Sequence, residues 1–130
     1  MKIVADANIF LAVVLEETFR SSIIQLTQGA ELVAPEVLPF EIGNALSSLL
    51  RRGRIDPATL FEAWRAIQII PVELRSVDMM LALEITAQYR IYAYDAYFLS
   101  CALMLRRPLL TLDRKMQKVA QDMGIKIMEV

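Results

Sequence analysis

The chain has 130 residues, a length typical of one folded domain, and we expect a single domain over residues 1–130. Its formal net charge is −1, which excludes a generally basic nucleic-acid-binding protein, so any contact with nucleic acid must be local. Hydrophobic residues make up 56% of the chain, yet no uninterrupted apolar run reaches the ~18 residues of a membrane span. We therefore expect no membrane association.

Strand-like and helix-like segments alternate along the first half of the chain. In order, they predict a strand at 2–6, helices at 8–15 and 19–28, a strand at 31–34 and a helix at 36–52. Gly29 and Gly53 follow two of the predicted helices, as glycine commonly does at helix ends.

The second half continues the same alternation. Asp56 and Pro57 are a typical N-cap and first helical residue, and they predict a helix that runs to about Gln68. The remaining elements are predicted as a short strand at 69–72, helices at 77–89 and 94–106, a strand at 109–112, a helix at 114–122 and a last strand at 125–128. Such alternation predicts a parallel sheet with helices on both faces and a ligand site at the carboxyl ends of its strands.

The termini and the single cysteine indicate the cellular setting. The strand-like start, with Asp6 directly after Ile3-Val4-Ala5, is not that of a signal peptide. Cys101 can form no intrachain disulfide, so we expect a reducing, cytoplasmic setting. The chain contains no histidine that would activate this thiol as a nucleophile. The high apolar content predicts a filled core and a surface that another chain covers.

Four acidic residues fall at the ends of predicted strands or the starts of predicted helices: Asp6, Glu41, Asp95 and Asp113. An acid at the end of a buried strand is costly unless it is solvated, paired or bound to a cation. Because the chain has no histidine, any metal must be held by oxygen atoms, which suit Mg²⁺ and Mn²⁺. The acids therefore predict a shared divalent-cation site.

Such a site favours one kind of chemistry. A bound divalent cation lowers the pKa of a water and polarises a phosphodiester oxygen. Without histidine, cleavage through a ribose 2′-hydroxyl by a histidine acid–base pair is disfavoured. A simpler interpretation also stays open, in which the helix dipole favours Asp95 in a first turn and Asp113 is only an N-cap.

Four motifs agree in order and spacing with a known family. They are Asp6-Ala7-Asn8, Glu41-Ile42-Gly43-Asn44-Ala45-Leu46, Tyr94-Asp95-Ala96-Tyr97 and Thr111-Leu112-Asp113-Arg114-Lys115. Together they resemble the PIN domain, and most closely its VapC-type toxin branch. The resemblance implies a three-layer α/β/α sandwich with a central parallel sheet of four to five strands. It also implies a Mg²⁺- or Mn²⁺-dependent endoribonuclease that forms homodimers and is inhibited by a small cognate antitoxin.

The resemblance assigns roles to particular residues. Asp6 and Asp95 would be the principal metal ligands, Glu41 would bind metal or position a water, and Asp113 would complete the site. Asn8 and Thr111 match polar positions beside these acids that orient the ligands.

Several residues near these motifs are candidates for partner contacts. Arg114 and Lys115, followed by Lys118, begin just after Asp113 and are predicted to contact RNA phosphates. The run Arg51-Arg52-Gly53-Arg54 either contacts RNA in the same way or only stabilises a helix C-terminus. A groove for the antitoxin is predicted from four apolar residues, which are Phe10, Leu11, Val14 and Phe40.

Two rival functions remain open from the sequence. One is a catalytically silent PIN-like scaffold or RNA-binding module, which metal-dependent turnover would exclude. The other is a receiver-like phosphoacceptor, which would need an acidic pair after the first strand where this chain has Asp6 alone. Phosphate uptake from a small donor tests the latter.

Overall fold

The computed structural model describes residues 1–130 and contains a four-stranded parallel sheet flanked by helices. The strands are β1 (Lys2–Ala5), β2 (Glu31–Pro35), β3 (Glu73–Arg75) and β4 (Leu109–Leu110). The helices are α1 (Ala7–Val14), α2 (Arg20–Thr27), α3 (Leu38–Arg51), α4 (Pro57–Ile69), α5 (Met79–Tyr89), α6 (Ala93–Leu105) and α7 (Arg114–Asp122). The predicted α/β class and its central parallel sheet are thus confirmed. None of the helices has the length and apolar character needed to cross a bilayer.

The order of the strands places a ligand-binding crevice next to β1. The sheet has the order β3-β2-β1-β4, and Val4 of β1 pairs with Val33 on one side and with Leu109 on the other. The chain therefore moves outward from β1 to β3 and returns to the opposite side of β1 as β4. Ligands of open α/β sheets bind where the strand order reverses, outside the carboxyl ends of the strands. Here that place lies beyond Ala5 and Leu110.

The central strands form the core with helices from both sides. Ile3, Val4 and Ala5 of β1 are fully buried, as are Leu109 and Leu110 of β4. Strands that are buried on both faces are near-continuous runs of apolar residues, and this is why the sequence predicts them well. The core gives the ends of β1 and β4 a fixed position.

Two residues of the predicted antitoxin groove lie inside the protein. Phe10 is only 2% exposed and Leu11 only 8%, because both pack into the core from α1. Each still lines a cleft with a small part of its area, so the part of Phe10 and Leu11 in an antitoxin groove stays a prediction. Phe40 of α3 does lie at the surface, with 72% of its area exposed.

The third strand lies later in the chain than predicted. The apolar run at 69–72 is not a strand, because Ile69 is the last residue of α4 and Pro71 has no N–H to donate to a ladder. The strand is instead Glu73–Arg75, which forms the edge of the sheet and is exposed at all three positions. An exposed edge strand has no apolar pattern that would reveal it.

The two last predicted strands are shorter than expected. β4 ends at Leu110, so Thr111 and Leu112 leave the ladder and enter the loop before α7. The strand predicted at 125–128 is reduced to one parallel bridge between Ile127 and Leu109. The bounds of the other elements differ from the predicted ones by at most two residues.

Candidate active site

Asp6 is fixed at the carboxyl end of β1 by hydrogen bonds to both carboxylate oxygens. It is the N-cap of α1, and its Oδ1 accepts from the backbone N–H of Ala7 at 2.8 Å. Its Oδ2 accepts from Thr111 Oγ1 at 2.7 Å and from Asn8 Nδ2 at 3.2 Å. A carboxylate offers about four acceptor positions, so three are used and one remains on Oδ1.

Asn8 and Thr111 tie the ends of β1 and β4 together. Asn8 Nδ2 also donates to Thr111 Oγ1 at 3.2 Å, and Asn8 Oδ1 accepts from the backbone N–H of Leu112 at 3.2 Å. Gln117 of α7 donates from Nε2 to the carbonyl oxygen of Thr111 at 2.8 Å. This role of Gln117 was not predicted, and its only signal in the sequence is its position four residues after Asp113, on the same helix face.

Asp113 has a structural role as well as a candidate functional one. Its Oδ1 accepts from the backbone N–H groups of Lys115 at 2.9 Å and Met116 at 3.2 Å, so it is the N-cap of α7. The interpretation of Asp113 as an N-cap is therefore confirmed. Both capping bonds go to Oδ1, which leaves Oδ2 free of them to face a ligand.

The other two acids project from helices and lack such support. Glu41 lies in the first turn of α3, and its Oε2 is buried without any hydrogen-bond partner. A buried polar atom that is left unpaired costs about 1–3 kcal/mol. Asp95 lies in the first turn of α6 and is half-buried.

Burial and mutual repulsion raise the pKa values of the acids on β1 and α3. Burial raises the pKa of Asp6 to about 6, against the hydrogen bonds from Thr111 and Ala7 that lower it. Burial also raises the pKa of Glu41 to about 8, and the charges of Asp6 and Asp95 raise it further. No positive side chain of the protein offsets either shift.

Charge repulsion also links Asp95, on α6, to Asp113 at the start of α7. Burial raises the pKa of Asp95, the charge of Asp113 raises it further, and the charge of Lys115 lowers it. Asp113 likewise acts on Asp6. Each of the four acids predicted from the sequence is therefore linked by charge repulsion to at least two of the others, beyond the carboxyl ends of β1 and β4.

The four acids supply the type of ligand atom that a hard divalent cation prefers, although their side chains do not surround a common point. All the ligand atoms are carboxylate oxygens, as Mg²⁺ and Mn²⁺ prefer, and Glu41 Oε2 lacks a partner. No three of these side chains are placed to ligate one ion together. Like charges without a counterion repel, so Glu41 and Asp95 have no reason to approach Asp6 closely. Binding would need their side chains to turn inward.

A cleft of about 480 Å³ adjoins these acids between α1 and α3. Asn8 and Glu41 line it near the acids, and Arg52 lines it further along α3. Arg52 is also the residue that ends α3, where a cation stabilises the helix. Both interpretations of the arginine run are thus compatible with the position of Arg52.

The comparison with known protein families decides the family of this chain. Residues 3–122 match the family model described as PIN domain. The chain belongs to the PIN domain family. This PIN chain is also 30% identical over 121 residues to the protein named Ribonuclease VapC3 of Pyrobaculum aerophilum. That alignment covers 89% of this chain and 92% of VapC3, which confirms the resemblance to the VapC branch.

Solved structures of low sequence identity confirm the PIN fold. PAE2754 from Pyrobaculum aerophilum has a TM-score of 0.72 at 21% identity, over 98% of this chain and 92% of that one. VapBC2 from Rickettsia felis, bound to a DNA fragment from their promoter, has a TM-score of 0.69 at 12% identity, over 98% of both chains. FitAcB from Neisseria gonorrhoeae has a TM-score of 0.60 at 14% identity, over 98% of this chain and 96% of that one.

The basic residues predicted near the site of this PIN domain lie on its rim. Arg114 and Lys115 are exposed on the first turn of α7, directly after Asp113. The influence of Lys115 on Asp95 places its charge within reach of the acids. Asp6, Asn8 and Thr111 are joined by hydrogen bonds at the ends of β1 and β4.

Proposed function

We propose that this PIN domain protein is a Mg²⁺- or Mn²⁺-dependent endoribonuclease that hydrolyses RNA phosphodiester bonds. The observation that carries the proposal is the unpaired buried oxygen of Glu41, beside Asp6 and Asp95. The chain supplies no cation that compensates Glu41, and a divalent cation from solution would do so. The similarity to a protein named Ribonuclease VapC3 supports RNA as the substrate.

The four acids would hold the cation with different parts of their carboxylates. Asp6 offers the remaining position on Oδ1, and Asp113 offers Oδ2, because their other positions are engaged. Asp95 and Glu41 would complete the set from α6 and α3. A divalent cation, when bound there, lowers the pKa of a water and polarises the phosphodiester.

The remaining residues of the site bind and orient. Thr111 and Asn8 hold Asp6 Oδ2 and so fix the plane of the carboxylate. Burial raises the pKa of Glu41 to about 8, so Glu41 keeps its proton near neutral pH in the metal-free protein. A bound cation would favour loss of this proton, and Glu41 would then offer an oxygen to the cation or hold a water. Arg114 and Lys115 would contact phosphates of the RNA.

We further propose that the enzyme is the toxin of a toxin–antitoxin pair, and that it acts in the cytoplasm as a homodimer. The similarity to a VapC protein and to the VapBC2 structure supports an antitoxin partner. The surface proposed for that partner lies between α3 and α4, where a groove of about 380 Å³ is lined by Leu60, Phe61 and Trp64 among others. Phe61 is 56% exposed, and Phe40 projects from α3 with 72% exposed.

Incubation of the partner-free protein with a panel of structured RNAs tests the nuclease. The arms contain Mg²⁺, Mn²⁺ or EDTA, and the Asp6→Asn variant controls for contaminating nucleases. We expect cutting that needs metal, leaves 5′-phosphate and 3′-hydroxyl ends, and disappears in the variant. Cutting that survives both EDTA and the substitution would contradict the proposal.

A catalytically silent PIN module is the second candidate. The arrangement in which no three acids ligate one ion favours it, since such a module would not need to gather them. Folded protein that binds RNA in the presence of metal but never cuts it would support this candidate.

A further inference from the structure

A second cleft, of about 560 Å³, lies on the α7 side of the acids. We call it the α7 cleft, and its lining residues are Phe19, Leu112, Arg114, Gln117, Lys118, Gln121, Ile127, Glu129 and Val130. Leu112 lines both this cleft and the one between α1 and α3. Leu112 also lies between Thr111 and Asp113 in the chain. The α7 cleft therefore begins at the loop that carries the candidate active site.

The positive charges of the α7 cleft have no evident structural role. Arg114 and Lys118 lie in the first two turns of α7, where the helix dipole disfavours cations. Neither of them forms an ion pair, since both ion pairs of the protein involve Glu73. A polyanion that approaches the acids would be repelled by them, so cations beside the site would supply the attraction.

Phe19 is the aromatic residue of this cleft, and it too has no evident structural role. It is 46% exposed and is not part of the hydrophobic core. It stands at the N-cap of α2, where Ser, Thr, Asp or Asn is preferred, and its side chain makes no capping bond. An exposed ring in a cleft that also contains cations can stack with an unpaired nucleotide base.

The polar residues of the cleft suit a nucleotide as well. Gln121 presents an exposed amide, which can donate to or accept from a base edge. Glu129 is the one acid among the lining residues, against the two cations Arg114 and Lys118. Among the charged side chains of the lining, cations therefore outnumber acids by one.

We propose that the α7 cleft is a subsite for one unpaired nucleotide of single-stranded RNA. The base stacks on Phe19, and the flanking phosphates contact Arg114 and Lys118. This inference rests on the proposed nuclease function, because it places the nucleotide beside the scissile phosphate. The subsite would restrict cleavage to positions where a base is unpaired and can leave the base stack, such as loops and single strands.

Equilibrium binding tests the subsite separately from cleavage. Labelled single-stranded RNA is titrated, with fluorescence anisotropy as the readout, in the Asp6→Asn background so that no RNA is cut. We expect Phe19→Ala to weaken binding about 5- to 150-fold, the range for the loss of one stacking contact. Phe19→Trp keeps a stacking ring and should restore the affinity. Leu83→Ala removes an apolar side chain of similar exposure on α5, away from the cleft, and should leave the affinity unchanged.

The salt dependence of the same titration tests the phosphate contacts. The plot of log K against log salt concentration has a negative slope. Lys118→Gln and Arg114→Gln should each reduce the magnitude of this slope by roughly 0.7, as expected for the loss of one phosphate contact to a single strand. Lys126→Gln, which removes an exposed lysine outside the cleft, should leave the slope unchanged. An RNA duplex should bind equally to the Phe19→Ala protein and to its parent.

The outcomes separate the subsite from the nuclease. Equal affinity of the Phe19→Ala protein and its parent for single-stranded RNA would overturn the subsite, as would equal losses in Phe19→Ala and Leu83→Ala. Absence of any binding to single-stranded RNA would overturn it as well. Binding that depends on Phe19, together with wild-type protein that cuts no RNA, would support the subsite and overturn the nuclease.

Discussion

The acids that follow strands and the acids that project from helices are supported in opposite ways. Asp6, at the end of β1, receives hydrogen bonds from Ala7, Asn8 and Thr111. Glu41, on α3, has a buried oxygen with no partner, and its pKa is raised to about 8. Hydrogen bonds at the strand ends thus hold Asp6 in place without a cation. Glu41 and Asp95, on the helices, remain destabilised by burial and charge repulsion.

This difference indicates where a cation would act. The strand-end acids need no cation to keep their positions, because Thr111, Asn8 and the capping bonds of Asp113 hold them. Glu41 and Asp95 gain most from a cation, since only burial and repulsion act on them apart from the charge of Lys115. Removal of a strand-end acid should therefore abolish activity, and changes to the helix-borne acids should alter stability and its dependence on metal and pH.

The largest effect is expected at Asp6. Asp6→Asn should lower the rate of RNA cleavage by at least about 100-fold, because the central carboxylate is lost while the N-cap of α1 is kept. Asp78→Asn is the matched control, because Asp78 caps a different helix, α5, and is not one of the four acids. Single-turnover cleavage rates measure both variants, and equal losses would contradict the special role of Asp6.

Thr111 should have the next largest effect. Thr111→Val removes the hydroxyl that donates to Asp6 Oδ2, and we expect activity to fall about 10- to 100-fold. Because that hydrogen bond lowers the pKa of Asp6, its loss should move the acid limb of the pH–rate profile to higher pH. Thr111→Ser keeps the hydroxyl and should restore both the rate and the profile. A valine variant with an unshifted profile would argue against this role.

The pH dependence of stability should report on Glu41. In EDTA the folded protein keeps a proton on Glu41 up to about pH 8, whereas the unfolded chain loses it near the usual value of 4.5. The folded state thus binds more protons over this window, so its stability should fall as the pH rises through it. Glu41→Gln should flatten the fall and should unfold at a higher temperature than wild type at pH 8. Parallel pH curves of the two proteins, from thermal unfolding, would contradict the raised pKa.

The sequence predicted the strand-end acids better than the contacts around them. Asp6 and Asp113 each follow an apolar run, and such runs reveal buried strands and their ends directly. The bond between Asn8 and Thr111 joins residues that are 103 positions apart, so only the pairing of β1 with β4 brings them together. The resemblance to PIN domains suggested that both residues matter, but it did not specify the donors and acceptors.

Other features had no local signal in the chain. The unpaired oxygen of Glu41 results from how α3 packs in the folded protein, next to α1 and α4, which no spacing of residues shows. The edge strand Glu73–Arg75 is exposed and lacks a periodic apolar pattern, so the apolar run just before it was a misleading signal. Phe19 is in a cleft only because the C-terminal segment folds back beside α7.

The most direct test of the cation site compares the thermal unfolding of wild type and Asp95→Asn, each with and without Mg²⁺. In EDTA, the variant should be as stable as wild type or more stable, because a repelled charge is removed. At a Mg²⁺ concentration about 100 times the dissociation constant, wild type should gain about 2.7 kcal/mol, and the variant clearly less. Equal gains in the two proteins would mean that Asp95 does not hold the cation, and the account of the four acids as one site would be wrong.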